Sequence, residues 1–423
     1  MRRLLQLSSF HAFRFPGFSA LWTGALISNV GTWMSTVALG VAVTEHTGKA
    51  AWVGMVAAMT FLPSVLLAPM AGALADRFER RKYLFVLNTV QILVAASLAT
   101  LAFSGNLTVG WMSALAFVNG CANTLSNPAF VALISELVPP SGLANAFSLN
   151  SAQFNLGRII GPALATVVFA AGGATWAFAL NAVSYTGVLW ALKRLPAPDP
   201  HRERNEASLL EGIREGLDVA RRDPGIRLSL GATLAVAMLV APFIGMIPVY
   251  ALKVFGRGAE LASLLTTSQG IGAVSVALMI GPLVSRFGFR RLAVTASLLL
   301  GPSAGLFWAA PNPALAAVLI APLGGMYLAS LTTFNTVEQL RAPRSVQARI
   351  SSLHSMVLGG GYAVGLMVLG VLADAFGLRL VMALASLLFG AAVVVTRVWA
   401  PRAIEALEPL PTQAVSSMPA AAR

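Results

Sequence analysis

Charge is scarce in this chain. Asp, Glu, Lys and Arg together make up 11% of 423 residues while 57% are hydrophobic; an ordinary soluble domain carries about 25% charged residues. A water-facing exterior is thereby excluded over most of its length, and a lipid bilayer becomes its solvent. Cysteine is scarcer still: the single Cys121 lies inside an apolar run, so disulfides are excluded and it reads as a small buried hydrophobe. The four histidines, His11, His46, His201 and His354, are scattered without the spacing a metal site needs. Acid is missing where it would be most expensive, since no Asp or Glu lies within an apolar run away from its ends. The net charge of +13 could suggest nucleic acid, but the basic residues sit in short segments between apolar runs and form no contiguous face. No nucleic-acid partner, metal or cofactor is expected.

What the chain has in abundance is apolar runs of helical length, at about 18–43, 52–75, 84–104, 109–135, 144–171 and 174–192, then 226–252, 261–285, 292–310, 314–337, 350–373 and 380–400. Each is suited to crossing a hydrocarbon core of ~30 Å. The runs around Asn123 and Arg158 are the most polar. Six runs, a polar interruption and six more give the expected plan: an N-terminal segment 1–17, a six-helix bundle 18–192, a linker 193–225, a second bundle 226–400 and a tail 401–423. The linker holds Leu209, Leu210, Ile213 and Leu217 at helical spacing, which suits an amphipathic helix lying on the membrane. The first 18 residues lack a continuous apolar stretch and a small-residue cleavage site, so they read as a cytoplasmic interfacial segment and not as a removed signal. The Pro-, Ala- and Ser-rich tail is expected to be disordered.

Orientation follows from the basic residues. Between the second and third runs, Gly72 to Lys82 reads GALADRFERRK, one aspartate, one glutamate and four cations packed between two uncharged runs. If both termini are cytoplasmic, 24 of the 29 Lys and Arg fall on the inner side; Lys49, Lys253, Arg257 and Arg379 lie outside and Arg158 lies within a run. The expected topology crosses a membrane many times, with both ends on the cytoplasmic side.

The two halves are also related to one another. Displaced by 204 positions, Ser148, Leu149, Ser151, Gly157 and Gly161 fall on Ser352, Leu353, Ser355, Gly361 and Gly365, and Pro139 falls on Pro343. At a similar offset Gly72, Arg77, Phe78 and Arg81 are echoed by Gly281, Arg286, Phe287 and Arg290. Duplication of a six-helix unit marks a two-lobed transporter with its substrate path between the lobes.

On these residues the chain resembles the major facilitator superfamily. GALADRFERRK looks like the signature between its second and third helices, and GPLVSRFGFRR (Gly281 to Arg291) like the degenerate second copy. Gly157, Gly161 and Pro162 resemble the glycine-proline motif of proton-coupled exporters, although Ala165 and Thr166 stand where that motif often has further glycines. ISNVGTWM (Ile27 to Met34), NPAFVALISELVP (Asn127 to Pro139) and NAFSLNSAQFNLGRIIGPA (Asn145 to Ala163) look like the branch holding the enterobactin exporter and the macrolide efflux proteins, drug:proton antiporters. The resemblance implies an all-α integral membrane protein of twelve transmembrane helices in two pseudo-symmetric bundles. It implies export of a small amphipathic molecule, a siderophore-like metabolite or a drug, by alternating access with protons as coupling ion, from a monomer. A lipid or lysolipid flippase is the alternative within this class. A membrane receptor or intramembrane enzyme is the alternative outside it, and it lacks a catalytic cluster or an attached signalling domain.

The expected site residues fall into three groups. Gly72, Asp76, Arg77, Arg81 and Glu136 are expected to form a conformational latch: Asp76 is repelled by its own helix end and needs positive partners, Arg77 would pair near Glu136, and family analogy docks Asp76 at the eleventh helix near Ser351 and Ser352. Gly157, Gly161 and Pro162 form the fifth-helix motif. The substrate cavity is assigned to Asn29, Thr32 and Trp33 of the first helix, Asn119, Asn123 and Asn127 of the fourth, Asn155 and Arg158 of the fifth, and Thr332, Asn335 and Thr336 of the tenth. Asn119, Asn123 and Asn127 follow i, i+4, i+8 and share one face, where either interhelical bonding or a wet cavity must satisfy them. Buried Arg158 either holds backbone carbonyls loosened near Pro162 or attracts an anionic substrate group. Because the deep carboxylate of many proton-coupled exporters is absent, the titratable candidates are Asp76, Glu136, Glu338, Asp374 and His354. Pro63, Pro69, Pro242, Pro248 and Pro322 are expected to bend their helices.

Overall fold

The computed structural model describes residues 8–195, 209–343 and 346–408, and among them every regular element is helical. A short turn, Ser8–Arg14, leads into α1 (Pro16–Thr47), α2 (Ala50–Arg77), α3 (Arg80–Phe103), α4 (Val109–Leu137) and α5 (Leu143–Arg194). After α6 (Leu209–Arg222) come α7 (Pro224–Ala235), α8 (Phe243–Val249), α9 (Ala259–Trp308), α10 (Pro313–Arg341), α11 (Gln347–Phe376), α12 (Leu378–Trp399) and α13 (Pro401–Glu405).

Two of these helices each hold two apolar runs. α5 leaves helical geometry at Gly172 and Gly173, and α9 at Gly288; Gly173 (φ 66°) and Gly288 (φ 81°) occupy the left-handed region that glycine enters at little cost. The seventh run is broken differently. α7 passes through a π-helical turn (Val236–Val240) into α8, and a second π turn (Tyr250–Val254) follows. Pro242 and Pro248, which have no N–H to donate, account for the loosened ladder. Twelve spans result. Among the described residues, eight stretches are long and apolar enough to cross a membrane on length and composition, α7 to Val254 counting as one and α9 carrying two spans; α4 and α5, with Asn123 and Arg158, are not among them.

The chain divides into two compact units, Met1–Glu206 with Ile247–Thr267, and Ala207–Met246 with Ser268–Arg423. The division differs from the expected one because the end of the seventh run joins the first unit, where Pro248 Cγ lies 2.8 Å from where a Cβ on Gly40 would be.

Glycine sets the helix spacing in both units. A Cβ on Gly157 would lie 2.9 Å from Asn29 Cβ, and one on Gly161 would lie 2.6 Å from both Trp33 Cβ and the Val30 carbonyl, so α5 rests directly on α1. On the other side of α1, Gly24 meets the Gly187 carbonyl at 2.6 Å, so α1 is held between the two spans of α5. The second unit repeats this: Gly361 of α11 faces Ala237 Cβ at 2.9 Å, and Gly365 faces Met238 Cα at 2.6 Å. Likewise Gly120 of α4 meets the Thr60 carbonyl, and Gly324 of α10 meets the Gln269 carbonyl. The glycines Gly157, Gly161 and Gly120 keep the offset of 204 to Gly361, Gly365 and Gly324, and small residues at these places allow backbone-to-backbone contact without a hydrophobic drive between helices.

Two expectations about polar segments change. α6 turns Gly216 and Ala220 inward, against Arg349 and a cluster of Ile226, Leu230, Ala342, Val346 and Ile350, so that face is not free to lie on a membrane. Leu209 to Ile213 lie where no side chain is described. The tail begins with α13 instead of disorder: Leu407 is buried, and the Glu408 carboxylate accepts from the backbone N–H of Phe289 (3.3 Å) and Arg290 (3.0 Å). Residues 409–423 lie outside the described residues.

Candidate functional site

The glycine seat brings the polar residues of α1 and α5 together. Asn29 Nδ2 donates to Gln153 Oε1 (2.8 Å), and Gln153 Nε2 donates to Asn150 Oδ1 (3.2 Å). Thr32 Oγ1 donates to the Ser28 carbonyl (2.9 Å) and lies 3.0 Å from the Tyr185 hydroxyl. Arg158 is only 7% exposed and does not face lipid; its guanidinium carbon stands 5.5 Å from the Trp33 ring centre, a cation–π contact. Trp33 is held edge-on by Phe154 at 5.9 Å. Asn155 Nδ2 donates within its own helix to the Ser151 carbonyl (2.9 Å).

α4 presents a different surface. Its Gly120 side is closed by α2, with Pro63 Cγ 3.1 Å from the Cβ position. Asn119 is half-buried, Asn123 and Asn127 are exposed, and none of the three amides bonds to a described residue. Among the described residues, no interhelical bond accounts for the stripe. In the second unit Thr332, Asn335 and Thr336 are half-buried, and Thr336 Oγ1 donates to the Thr332 carbonyl (2.8 Å). Thr333, their neighbour, is buried and bonds the Ala329 carbonyl (2.7 Å).

At the end of α2 the cations separate by role. Arg81 donates to the carbonyls of Lys193 (2.8 Å) and Leu195 (3.0 Å), satisfying the C-terminus of α5 with positive charge. Glu136 is paired with Arg80 at 2.6 Å, where Arg77 had been expected, and Arg77 is exposed. Arg80 opens α3, whose first turn lies beside the end of α4, whereas Arg77 ends α2. A Cβ on Gly72 would meet nothing within 4 Å. The side chain of Asp76 lies outside the described residues.

Comparison with known proteins decides the family. The family described as transmembrane secretion effector matches residues 7–421. This chain belongs to it. Its members are major facilitator transporters, and the twelve-span fold agrees. The chain is 28% identical over 401 residues to the multidrug efflux pump Tap of Mycolicibacterium fortuitum, covering 89% of this chain and 94% of that one. It is 21% identical to macrolide efflux protein A of Streptococcus pyogenes (66% and 69% covered) and 29% identical to the enterobactin exporter EntS of Citrobacter koseri (63% and 64%). Among solved structures, a bacterial homologue of the lysosomal transporter Spinster superposes with a TM-score of 0.74 at 14% identity, covering 96% of this chain and 99% of that one. The protein is thus a multi-pass bacterial membrane transporter of the efflux type, acting on a small molecule.

In this transporter the sequence reading missed a pairing. Glu338 of α10 is 0% exposed, His354 of α11 is 5% exposed, and Oε2 lies 2.8 Å from Nδ1. Both had been considered as titratable groups, but each alone. The available signal was positional: they stand equally far from residue 346, at the turn between two antiparallel helices, so the turn folds one onto the other. Gln153 and Tyr185, which tie Asn29 and Thr32 into their bundle, were also missed.

Proposed function

We propose that this protein exports a small amphipathic molecule from the cytoplasm of a bacterium across its inner membrane, by alternating access driven by the proton gradient. It works as a monomer with both termini inside. The observation that carries this reading is the α4 stripe. Three amides at helical spacing, two of them exposed and all unbonded to a described residue, are costly against lipid and serviceable against a wet substrate path. In this reading Asn29, Trp33, Asn155 and Arg158 extend that polar wall within the first unit, and in the second unit the polar residues offered to substrate are Thr332, Asn335 and Thr336. Arg158, a buried cation on an aromatic ring, favours a catecholate or carboxylate siderophore over a cationic drug.

Asp76 and Gly72, with the basic residues after them, act in this reading as the latch that biases one conformation, so Asp76→Asn slows turnover without lowering substrate binding. Unchanged turnover in that variant argues against a latch.

The test is transport in proteoliposomes with an imposed pH gradient, using erythromycin, enterobactin and a lysolipid in parallel. Gradient-driven accumulation of either of the first two supports export, and movement of the lysolipid alone favours a flippase. Replacing Asn123 and Asn127 by Leu is expected to cut transport about tenfold or more without lowering the melting temperature. Arg158→Lys should keep part of the transport, and Arg158→Gln should lose enterobactin selectively. Equal loss for erythromycin and enterobactin with a lowered melting temperature assigns Arg158 to the scaffold.

A further inference from the structure

The Glu338–His354 pair has no equivalent in the other half of the chain. At the offset of 204 the corresponding residues are Ile134 and Asn150, and Ile134 closes its position within an apolar cluster of Leu133, Val138, Ala146 and Leu149. The fold therefore does not require charge at this place. A buried ion pair is a poor source of stability, because removing two charges from water offsets their attraction. Its second carboxylate oxygen, Glu338 Oε1, has no hydrogen-bond partner among the described residues. Two buried hydroxyls of the helix packed against α10, Ser229 and Thr233 of α7, are likewise unpartnered there.

The other charged groups on the flanking elements are engaged or exposed. Glu215 of α6 pairs with Arg349 of α11, and Asp223 at the start of α7 pairs with Arg341 of α10 at 2.8 Å. Glu408, beyond α13, holds the start of the second span of α9. Asp218 of α6, Arg227 of α7 and Arg397 of α12 are exposed. Among the described residues of these elements, Glu338 and His354 alone form a buried pair of an acid and a histidine.

We propose that Glu338 and His354 together form the proton-binding site that couples the gradient to export, an inference that rests on the proton-driven reading above. Closed, the pair shares one proton, as carboxylate with imidazolium or as carboxylic acid with imidazole, and carries no net charge. A second proton entering from bulk water converts carboxylate and imidazolium into carboxylic acid and imidazolium, with a net charge of +1. A site with no water contact does not hold that charge, so uptake accompanies separation of α10 from α11 and release accompanies their closure. Nothing is oxidised and no other reactant is needed. The steric seat of Gly361 and Gly365 on the seventh run lies about two to three turns beyond His354 on the same helix, placing the pair on the element whose movement would expose it.

Two measurements on the full-length protein test this. Infrared difference spectra of the purified transporter across a pH titration should show a carboxylic-acid band that is absent in Glu338→Gln and displaced in pH by His354→Ala; the same band at the same pH in all three overturns the proposal. In proteoliposomes loaded with a pH-sensitive dye, enterobactin should drive proton flux that falls about tenfold or more in Glu338→Gln while enterobactin binding stays within about twofold. Wild-type flux retained by both variants overturns the pair alone. Enterobactin movement in the wild type without proton flux overturns the proton-driven reading, and the infrared titration then decides separately whether the pair takes up a proton.

Discussion

In the first unit the end of α1 nearest the basic loop is closed by hydrocarbon, and in the second the equivalent end of α7 is closed by ions. Phe15 precedes α1 without a side-chain cap, Gly17 rests on Leu137 (3.0 Å to Cδ2), and Ile134, Val138, Ala146 and Leu149 fill the space behind. In the second unit Asp223 caps α7, accepting from the N–H groups of Gly225 and Ile226 at 2.9 Å, and Gly225 rests on Arg341 (2.6 Å to Cδ). Arg341 takes the position of Leu137, and Glu338 and His354 take those of Ile134 and Asn150. The backbone approach is the same in both because glycine sets it. What differs is chemistry: the apolar closure has nothing to titrate, while the ionic one holds two carboxylates, Asp223 and Glu338, and the imidazole of His354.

Exchanging the closures tests the comparison most severely. Ile134→Glu places a carboxylate in a cluster with no cation beside it, and is expected to cost about 3–5 kcal/mol, read as loss of folded protein in thermal unfolding. Adding Asn150→His should recover part of that. The converse double variant, Glu338→Ile with His354→Asn, should unfold no earlier than wild type, since apolar packing can replace a buried pair without loss. It should nevertheless lose its response to a pH gradient. A double variant that unfolds much earlier assigns the pair to the scaffold.

The shared part of the plan gives the next effect. Gly161→Ala and Gly365→Ala each drive a methyl group into a facing backbone, and overpacking of this kind costs about 1–3 kcal/mol. Gly72→Ala, where a Cβ meets nothing within 4 Å, should leave the melting temperature unchanged. If Gly161→Ala is as harmless as Gly72→Ala, close seating of α5 on α1 is not what holds the unit together.

Much of this was legible before any coordinates. Apolar runs, loop charge and the offset of 204 gave twelve spans and the duplication, because lipid leaves few alternatives to the helix. The glycine repeat was visible as a pattern, though not as the contact of Gly157 with Asn29 or of Gly361 with Ala237. Side-chain partners were less legible. Arg77, Arg80 and Arg81 look alike in sequence, and only the arrangement of α2, α3, α4 and α5 assigns Arg80 to Glu136 and Arg81 to the end of α5. The tail read as disordered from its composition, yet Leu407 is buried and Glu408 caps a helix start, contacts that depend on distant residues.

The smallest expected effect concerns Asp223, and its sign follows from its surroundings. Burial alone would raise this carboxyl, but the Arg341 guanidinium and the N–H groups of Ile226 and Gly225 outweigh it and hold the group below its ordinary range. A depressed carboxyl contributes stability that is complete above its unfolded value of ~3.9 and is lost as pH falls through the lower folded value. Asp223→Asn keeps an oxygen for the helix cap and removes the charge, so at neutral pH it should cost only about 0.5–1 kcal/mol, the range of a partly exposed pair. The difference in melting temperature between wild type and variant should hold from neutrality to about pH 5 and then close on acidification. Phe15→Leu, at the matching position of the first unit, should show a difference that does not change with pH. A gap for Asp223→Asn that persists in strong acid would mean that packing around Arg341, and not the ion pair, distinguishes the two ends.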